Sequence, residues 1–307
     1  MTEIERIIQK GIIGRDYLNS EEKCGFLITT ERKKLFAVML DMLYEFDKVC
    51  KKHGLTYYLY GGSLLGAVRH HGFIPWDDDL DVIMPRDDYD KFIKLSDEFS
   101  EPYFLQIPQT DKGYYYSFAK LRNSNTTGVV DMFKYAGFNH GIWISMFPLD
   151  FWNLDGGEER YAEIRKLVMH NSTYMRLKNP DLDEKNKARV AAYLAEHRDP
   201  MKDYEEIQRL ASSCKDPNSK YVMSAVITHL KYDKKLLYTA DFVEAVPLEF
   251  EGFSVMVPCG YDHVLTVCYG DYMQFPPVED RGLCHDGTIF DSDIPYKEYL
   301  KRDGIII

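Results

Sequence analysis

The sequence predicts an α/β (α+β) fold: a mixed sheet with helices over the first half, then a mostly helical region. Three observations carry this. Apolar residues recur at helical spacing over 31–53, through Leu35, Met39, Met42, Phe46 and Val49. Strand-like runs punctuated by Gly and Pro follow, among them LTYYLY (55–60), DLDVIM (79–84) and GIWISMF (141–147). Residues 157–230 are charged and helical in pattern, broken at Pro180, Pro200 and Pro217.

Taken in order, the helix over 31–53 stops at Gly54, and LTYYLY is a strand broken by Gly61 and Gly62. SLLGAVRH is a short helix opening on Ser63. A loop with Pro75 leads into the strand DLDVIM, and RDDYDKFIKLSDEF (86–99) is a further helix. FLQI, YYYSFAKLRN and GIWISMF are strands. From 249, EFEGFSVMVP alternates as one strand, YDHVLTVCYG is helical and DYMQFPPVEDRG is a loop. A soft boundary falls near 151. It separates a core (1–151) from a mostly helical region (152–307) whose last segment packs back on the core.

The 307 residues can bury a sizeable core, and the net charge of −11 argues against a nucleic-acid partner. It leaves nucleotides open, since metal ions can supply charge locally. Six cysteines without a C-x-x-C pair fit a reducing cytosol. With no apolar run of spanning length, a cytoplasmic protein is expected. Peripheral contact with the inner face of a membrane stays open, the terminal GIII being too short to define one.

The chemistry concentrates in GFIPWDDDLDVIM (72–84), where Asp77, Asp78, Asp79 and Asp81 crowd before an aliphatic run. Such carboxylates repel one another unless a cation neutralises them. Alternation on a strand points Asp79 and Asp81 to one side and Leu80 and Val82 to the other. The pair suits Mg²⁺ or Mn²⁺. Upstream, Gly61, Gly62 and Ser63 open a helix whose N–H groups suit a phosphate, with Arg69 and His70 further along. A Gly-Ser turn, a helix and Asp-x-Asp on a strand is the arrangement of nucleotidyltransferase-type sites. A solvated acidic turn is the bland alternative.

DKVCKKHGLTYYLYGGSLLGAVRHHGFIPWDDDLDVIMPRDDYDKF (47–92) closely resembles the signature of the LicD family of phosphocholine transferases, shared with fukutin-related proteins. FAKLRNSNTTG, HGIWISMFPLD and YDHVLTVCYGDYMQFPP resemble later blocks of the same family. The likeness implies a nucleotidyltransferase-like mixed-sheet core and transfer of a phospho-alcohol, phosphocholine first, from a CDP-alcohol donor. CDP-choline is favoured. The implied acceptor is a sugar hydroxyl of a teichoic acid, lipid-linked sugar or other surface glycan precursor. By position, Asp79 and Asp81 match the metal pair and Gly62 and Ser63 the phosphate turn. Lys120 and Arg122 match a basic K-x-R block that binds donor phosphate, with Arg69 and Trp76 as further substrate contacts.

One departure matters. The family commonly reads I-D-I-F-P-L-D where this chain has ISMFPLD, so Ser145 holds the place of a third acidic residue. A serine hydroxyl is a poor base. The chain either uses another carboxylate (Asp150, Asp77 or Asp78), carries an inactivating change, or binds without catalysing. Ser145 shares a strand face with Trp143 and Phe147, which predicts a place beside Asp79 and Asp81. Two rival functions remain open: a nucleotidyltransferase releasing pyrophosphate, and a catalytically silent nucleotide-binding protein.

Other residues read as structural. Cys259, Cys268, Cys284 and His285 are too irregular for a zinc site and read as buried thiols. His140 bonds backbone, and His70 and His71 orient the acidic loop. Tyr58, Tyr60 and Trp76 are the better candidates for a cation–π cage around a quaternary ammonium.

Overall fold

The computed structural model describes every residue except 197, 229–230, 233–234, 283–286 and 306–307. The first half supplies α1 (Glu3–Gln9), β1 (Glu21–Lys23), β2 (Phe26–Ile28), α2 (Thr30–His53), β3 (Tyr58–Leu59) and α3 (Gly61–His70). It continues with β4 (Asp81–Pro85), α4 (Arg86–Phe92), β5 (Tyr103–Gln106), β6 (Ala119–Asn123), β7 (Thr127–Val130) and β8 (Ile142–Trp152). The second half adds α5 (Gly157–Met175), α6 (Glu184–Ala195), α7 (Pro200–Ala211), β9 (Tyr221–Met223) and β10 (Leu237–Tyr238). It ends with β11 (Ala245–Phe250), β12 (Phe253–Pro258), α8 (Tyr261–Tyr269), β13 (Thr288–Asp291) and α9 (Tyr296–Arg302).

Among the described residues the main sheet runs β10-β9-β8-β4-β3, with β6 beside β8 and β5 beside β6. Only its central pair, β4 and β8, is parallel, and it is buried accordingly, with Val82, Ile83 and Met84 fully enclosed. One sheet face carries Ile142, Ile144 and Met146 toward α2. Thr29 caps the start of α2 by accepting from the Arg32 N–H, and Gly54 ends it in the left-handed conformation at φ 62°. Phe46 of α2 meets Phe92 of α4 at 5.1 Å between rings, so both helices cover the same face. Each such side chain contributes about 1.5–3 kcal/mol on burial.

Several elements differ from the sequence reading. Gly61 adopts φ 58°, which lets the chain enter α3 two residues before Ser63. The helix after Pro85 stops at Phe92, where Ile93 caps it and a 3₁₀ turn follows at Ser96–Glu98. EFEGFSVMVP is not one strand but the turn and second arm of a hairpin. Glu251 and Gly252 both have positive φ (49° and 79°), the geometry of a two-residue turn joining β11 to β12. β8 runs past Met146 and Phe147 to Trp152, and its end pairs with β9. The sheet therefore takes strands from both sides of position 151. The hairpin β11–β12 lies against β3, and α8 lies against α3, which brings the C-terminal segment onto the core.

Candidate active site

The sheet face opposite α2 carries the chemistry. Asp81 and Ser145 are register partners on β4 and β8, and Ser145 and Lys120 are partners on β8 and β6. Partners in a ladder project to the same side, so Asp81, Ser145 and Lys120 form one row across three strands. Tyr60 extends the row at one edge, donating its N–H to the Asp81 carbonyl at 3.0 Å. Gln106 extends it at the other, opposite Lys120. Ser145 thus stands directly beside Asp81.

The carboxylates converge where α3 begins. Asp79 is held well above the usual carboxylate range, first by burial and then by Asp81, Asp77 and Asp78. The Ser63 hydroxyl accepts from the Asp81 N–H at 2.9 Å. Ser63 therefore ties the helix start to the acidic strand and is itself buried. A Cβ on Gly62 would meet Asp77 Oδ2 at 2.3 Å, so only glycine lets that carboxylate lie against the helix N-terminus. Arg32 donates to the Asp77 carbonyl.

These residues suit a divalent cation. Crowded, desolvated carboxylates are what such an ion relieves, and oxygen donors are what Mg²⁺ prefers. Among the described residues no group of three or more His, Cys, Asp or Glu is arranged to hold a metal. A carboxylate pair that leaves the remaining positions to water and phosphate oxygens matches the way Mg²⁺ is usually held.

A cleft of about 820 Å³ opens over this floor, lined by Gly61, Gly62, Asp77, Asp79 and Asp81 below and by Trp76, Tyr272 and Phe275 at its side and roof. Arg69 holds the roof. Its Nη1 donates to the carbonyls of Tyr272 (2.6 Å) and Gln274 (3.0 Å), and its Nε to His70 Nε2 (3.1 Å). Burial and then the Arg69 charge depress His70 to about 4, so its ring is neutral and stacks on Phe275 at 5.5 Å. Arg281 ties the roof to the β1–β2 turn through the Pro276 and Cys24 carbonyls and lies 4.9 Å over Trp76. The Tyr269 hydroxyl reaches the phosphate turn, within 3.8 Å of where a Gly61 Cβ would stand.

Lys120 and Arg122 lie behind the cleft wall, both buried. Lys120 is pushed well below the usual lysine range by burial and then by Arg122. Its ammonium lies 3.9 Å from the Trp143 ring centre and 4.9 Å from that of Tyr116. Arg122 donates to Gln106 Oε1 (2.6 Å) and the Gly141 carbonyl (2.7 Å), and burial lowers it to about 10.

Asp150 does not join this cluster. Five positions after Ser145 the pleat turns it to the opposite face, where Arg86 grips both oxygens at 2.6 and 2.8 Å. Tyr58 also points elsewhere, donating to the Phe242 carbonyl, while Tyr60 and Trp76 line the cleft. His71 is the left-handed C-cap of α3 at φ 55°, and the His140 ring is buried and depressed to about 3 by burial and Arg122. Cys259 and Cys268 are only half-buried: the Cys259 thiol reaches the Asp241 carbonyl and Cys268 lines the cleft. Cys284 and His285 lie outside the described residues. Tyr269, Phe275 and Arg281 were not singled out from sequence. The first two fall within YDHVLTVCYGDYMQFPP, and nothing local marks Arg281.

Comparison with known proteins fits this arrangement. A profile described as LicD/FKTN/FKRP, nucleotidyltransferase domain, matches residues 54–182, which span the phosphate turn, the acidic strand and β8. Over 266 residues the chain is 28% identical to the Haemophilus influenzae protein named lipopolysaccharide cholinephosphotransferase LicD. That alignment covers 81% of this chain and 93% of the relative. Residues 54–182 thus match the LicD-type domain profile, and the similarity to the Haemophilus protein extends over most of the chain. Two uncharacterized proteins match locally: one from Rickettsia typhi at 33% over 72 residues (24% of this chain, 23% of the relative), and one from Rickettsia prowazekii at 30% over 89 residues (27% and 34%). Within the LicD profile span lie the Asp79–Asp81 pair, Lys120, Arg122 and Ser145, whereas the roof over Trp76 comes from beyond it.

Proposed function

We propose that the protein transfers phosphocholine from CDP-choline to a sugar hydroxyl of lipopolysaccharide or a related surface glycan precursor, releasing CMP. The observation that carries this is the Asp79–Asp81 pair on the floor of a roofed cleft, beside the N-terminus of α3. The Haemophilus relative, whose name states a cholinephosphotransferase, supports the choice of group.

In this reading Asp79 and Asp81 would hold Mg²⁺ or Mn²⁺, which would supply charge neutralisation for the diphosphate. The N–H groups at the start of α3 receive the phosphate oxygens. Trp76 and Phe275 stand perpendicular at 6.1 Å and already carry cations, Arg281 over both rings at 4.9 and 5.6 Å and Arg69 over Phe275 at 5.0 Å. In this reading they brace the cleft wall rather than cage the trimethylammonium group. Asp77 lines the cleft, and in this reading it takes the acceptor hydroxyl's proton as that oxygen attacks the distal phosphorus and CMP leaves. The work is done on the cytoplasmic side of the membrane. No helix among the described residues is long and apolar enough to cross a membrane. Offering CDP-choline, CDP-ribitol and CDP-glycerol with Mg²⁺ tests the reading. CMP release with CDP-choline supports it, and pyrophosphate release from CTP would replace it with nucleotidyl transfer.

A further inference from the structure

Two basic residues two positions apart on β6 are buried, and among the described residues neither pairs with a carboxylate. Lys120 and Arg122 are 4% and 2% exposed. The bonds of Arg122 go to a neutral amide and a carbonyl, and the acids that act on Lys120 are Asp81 and Asp79, acting only through space. Among the described residues neither cation has a carboxylate at ion-pair distance. A buried charge without a counter-ion is costly, and protein chains usually supply one. Here the position that would supply it is 145, the cross-strand partner of Lys120 and the parallel partner of Asp81. Side chains so paired have Cβ atoms about 4.5–5.5 Å apart, within reach of a salt bridge. The residue there is a serine.

We infer that Ser145 is a positioning residue that keeps Lys120 without a protein counter-ion, so that the phosphate anion entering the cleft supplies it. This rests on reading the cleft as a phosphate-donor site. The rings around Lys120 fit the role, because π faces hold an ammonium without neutralising it. Phe118, 5.8 Å from the ammonium, packs at 4.4 Å on Phe147, which lines the cleft. Lys120 therefore stands one ring behind the wall, and its field crosses a dry layer where salt screens little. The row then runs from the carboxyls of Asp79 and Asp81 through a neutral centre to Lys120, with the substrate anion bound between them. The serine is a charge-selecting feature of the site rather than a lost carboxylate.

The test is calorimetric titration with pyrophosphate and with CDP-choline, in EDTA so that no divalent metal contributes. We expect Ser145→Asp to weaken both ligands about tenfold or more, because the new carboxylate neutralises Lys120 internally. Ser145→Asn, of the same shape without charge, should stay within about threefold, and Lys120→Met should weaken binding as Ser145→Asp does. Equal binding by Ser145→Asp, equal loss in Ser145→Asn, or no pyrophosphate binding by the unmodified chain overturns the inference. The predicted pattern with pyrophosphate, without CMP ever being released from CDP-choline, would leave the counter-ion role standing and sink the donor assignment.

Discussion

Asp81 opens β4 and Asp79 lies in the segment just before it, yet both line the cleft, and their environment makes a divalent ion useful. Burial and three neighbouring carboxylates hold Asp79 above its ordinary range. Asp79→Asn or Asp81→Asn keeps the shape and removes one charge, so folding should survive while metal-dependent turnover falls by about a thousandfold or more. Mg²⁺ titration and circular dichroism check the two halves, and retained turnover in either variant would remove the pair from the mechanism. The direction of Asp81 was legible in the sequence because a period of two decides which way a strand residue points. Asp79 precedes the strand, which starts two residues later than the sequence predicts, and its place depends on the loop. The same parity places Asp150 on the other face from Ser145, although the short stretch ISMFPLD sets the two side by side on paper. Ser63 was legible as a helix-start residue, yet its bond to the Asp81 N–H depends on how α3 meets β4. Tyr269 and Arg281 could not be found, since each reaches the cleft only after some two hundred residues of intervening chain have folded.

Among elements, α2 and α8 were readable from spacing, and Gly54 marked the end of α2. Hairpin β11–β12 was missed because EFEGFSVMVP alternates straight through Glu251 and Gly252, which hides the turn between the two arms. On a two-stranded ribbon an edge proline is tolerated, and there Pro247 pairs with Met256. The junction between β4, α4 and β8 depends on the Arg86–Asp150 bridge. Arg86 is gripped between Asp150 and Gln208 of α7, at 2.8 Å from the latter. Breaking the bridge leaves the buried Arg86 with only Gln208 and the half-exposed Asp90, at 3.3 Å, so Asp150→Asn should cost up to about 3–5 kcal/mol in urea unfolding. Mg²⁺ affinity should not change, because the bridge faces away from the metal pair. A stable variant with altered metal binding would mean that Asp150 serves the site after all.

At the scale of the molecule, the charge and the sheet pull in opposite senses with pH. His70 and His140 are depressed by burial to about 4 and about 3. Their unfolded-state value is near 6.5, so the unfolded chain takes up protons first as pH falls. Their contribution to stability is therefore complete above about pH 6.5 and is lost toward pH 4, at up to about 1.4 kcal/mol per pH unit for each ring. In metal-free protein the raised Asp79 carboxyl works the other way, favouring the folded state as pH falls. Urea midpoints between pH 7 and pH 4.5 should flatten in the variant His70→Gln/His140→Gln, and an unchanged slope would show that these rings do not set the acid limb. The mixed-sheet architecture was legible because its strands are short aliphatic runs between Gly and Pro. Continuity of the sheet past residue 151 was not, because charged helices α5 to α7 intervene before β9 returns to pair with β8.

The central claim is that Asp79 and Asp81 support transfer from a CDP-alcohol, and product analysis tests it most directly. The unmodified chain and Asp81→Asn are each incubated with CDP-choline, Mg²⁺ and a lipopolysaccharide acceptor, and nucleotide products are separated. The account predicts CMP in step with choline-labelled acceptor from the unmodified chain and neither product from Asp81→Asn. CDP-choline bound but never consumed, or CMP formed equally by Asp81→Asn, would contradict it.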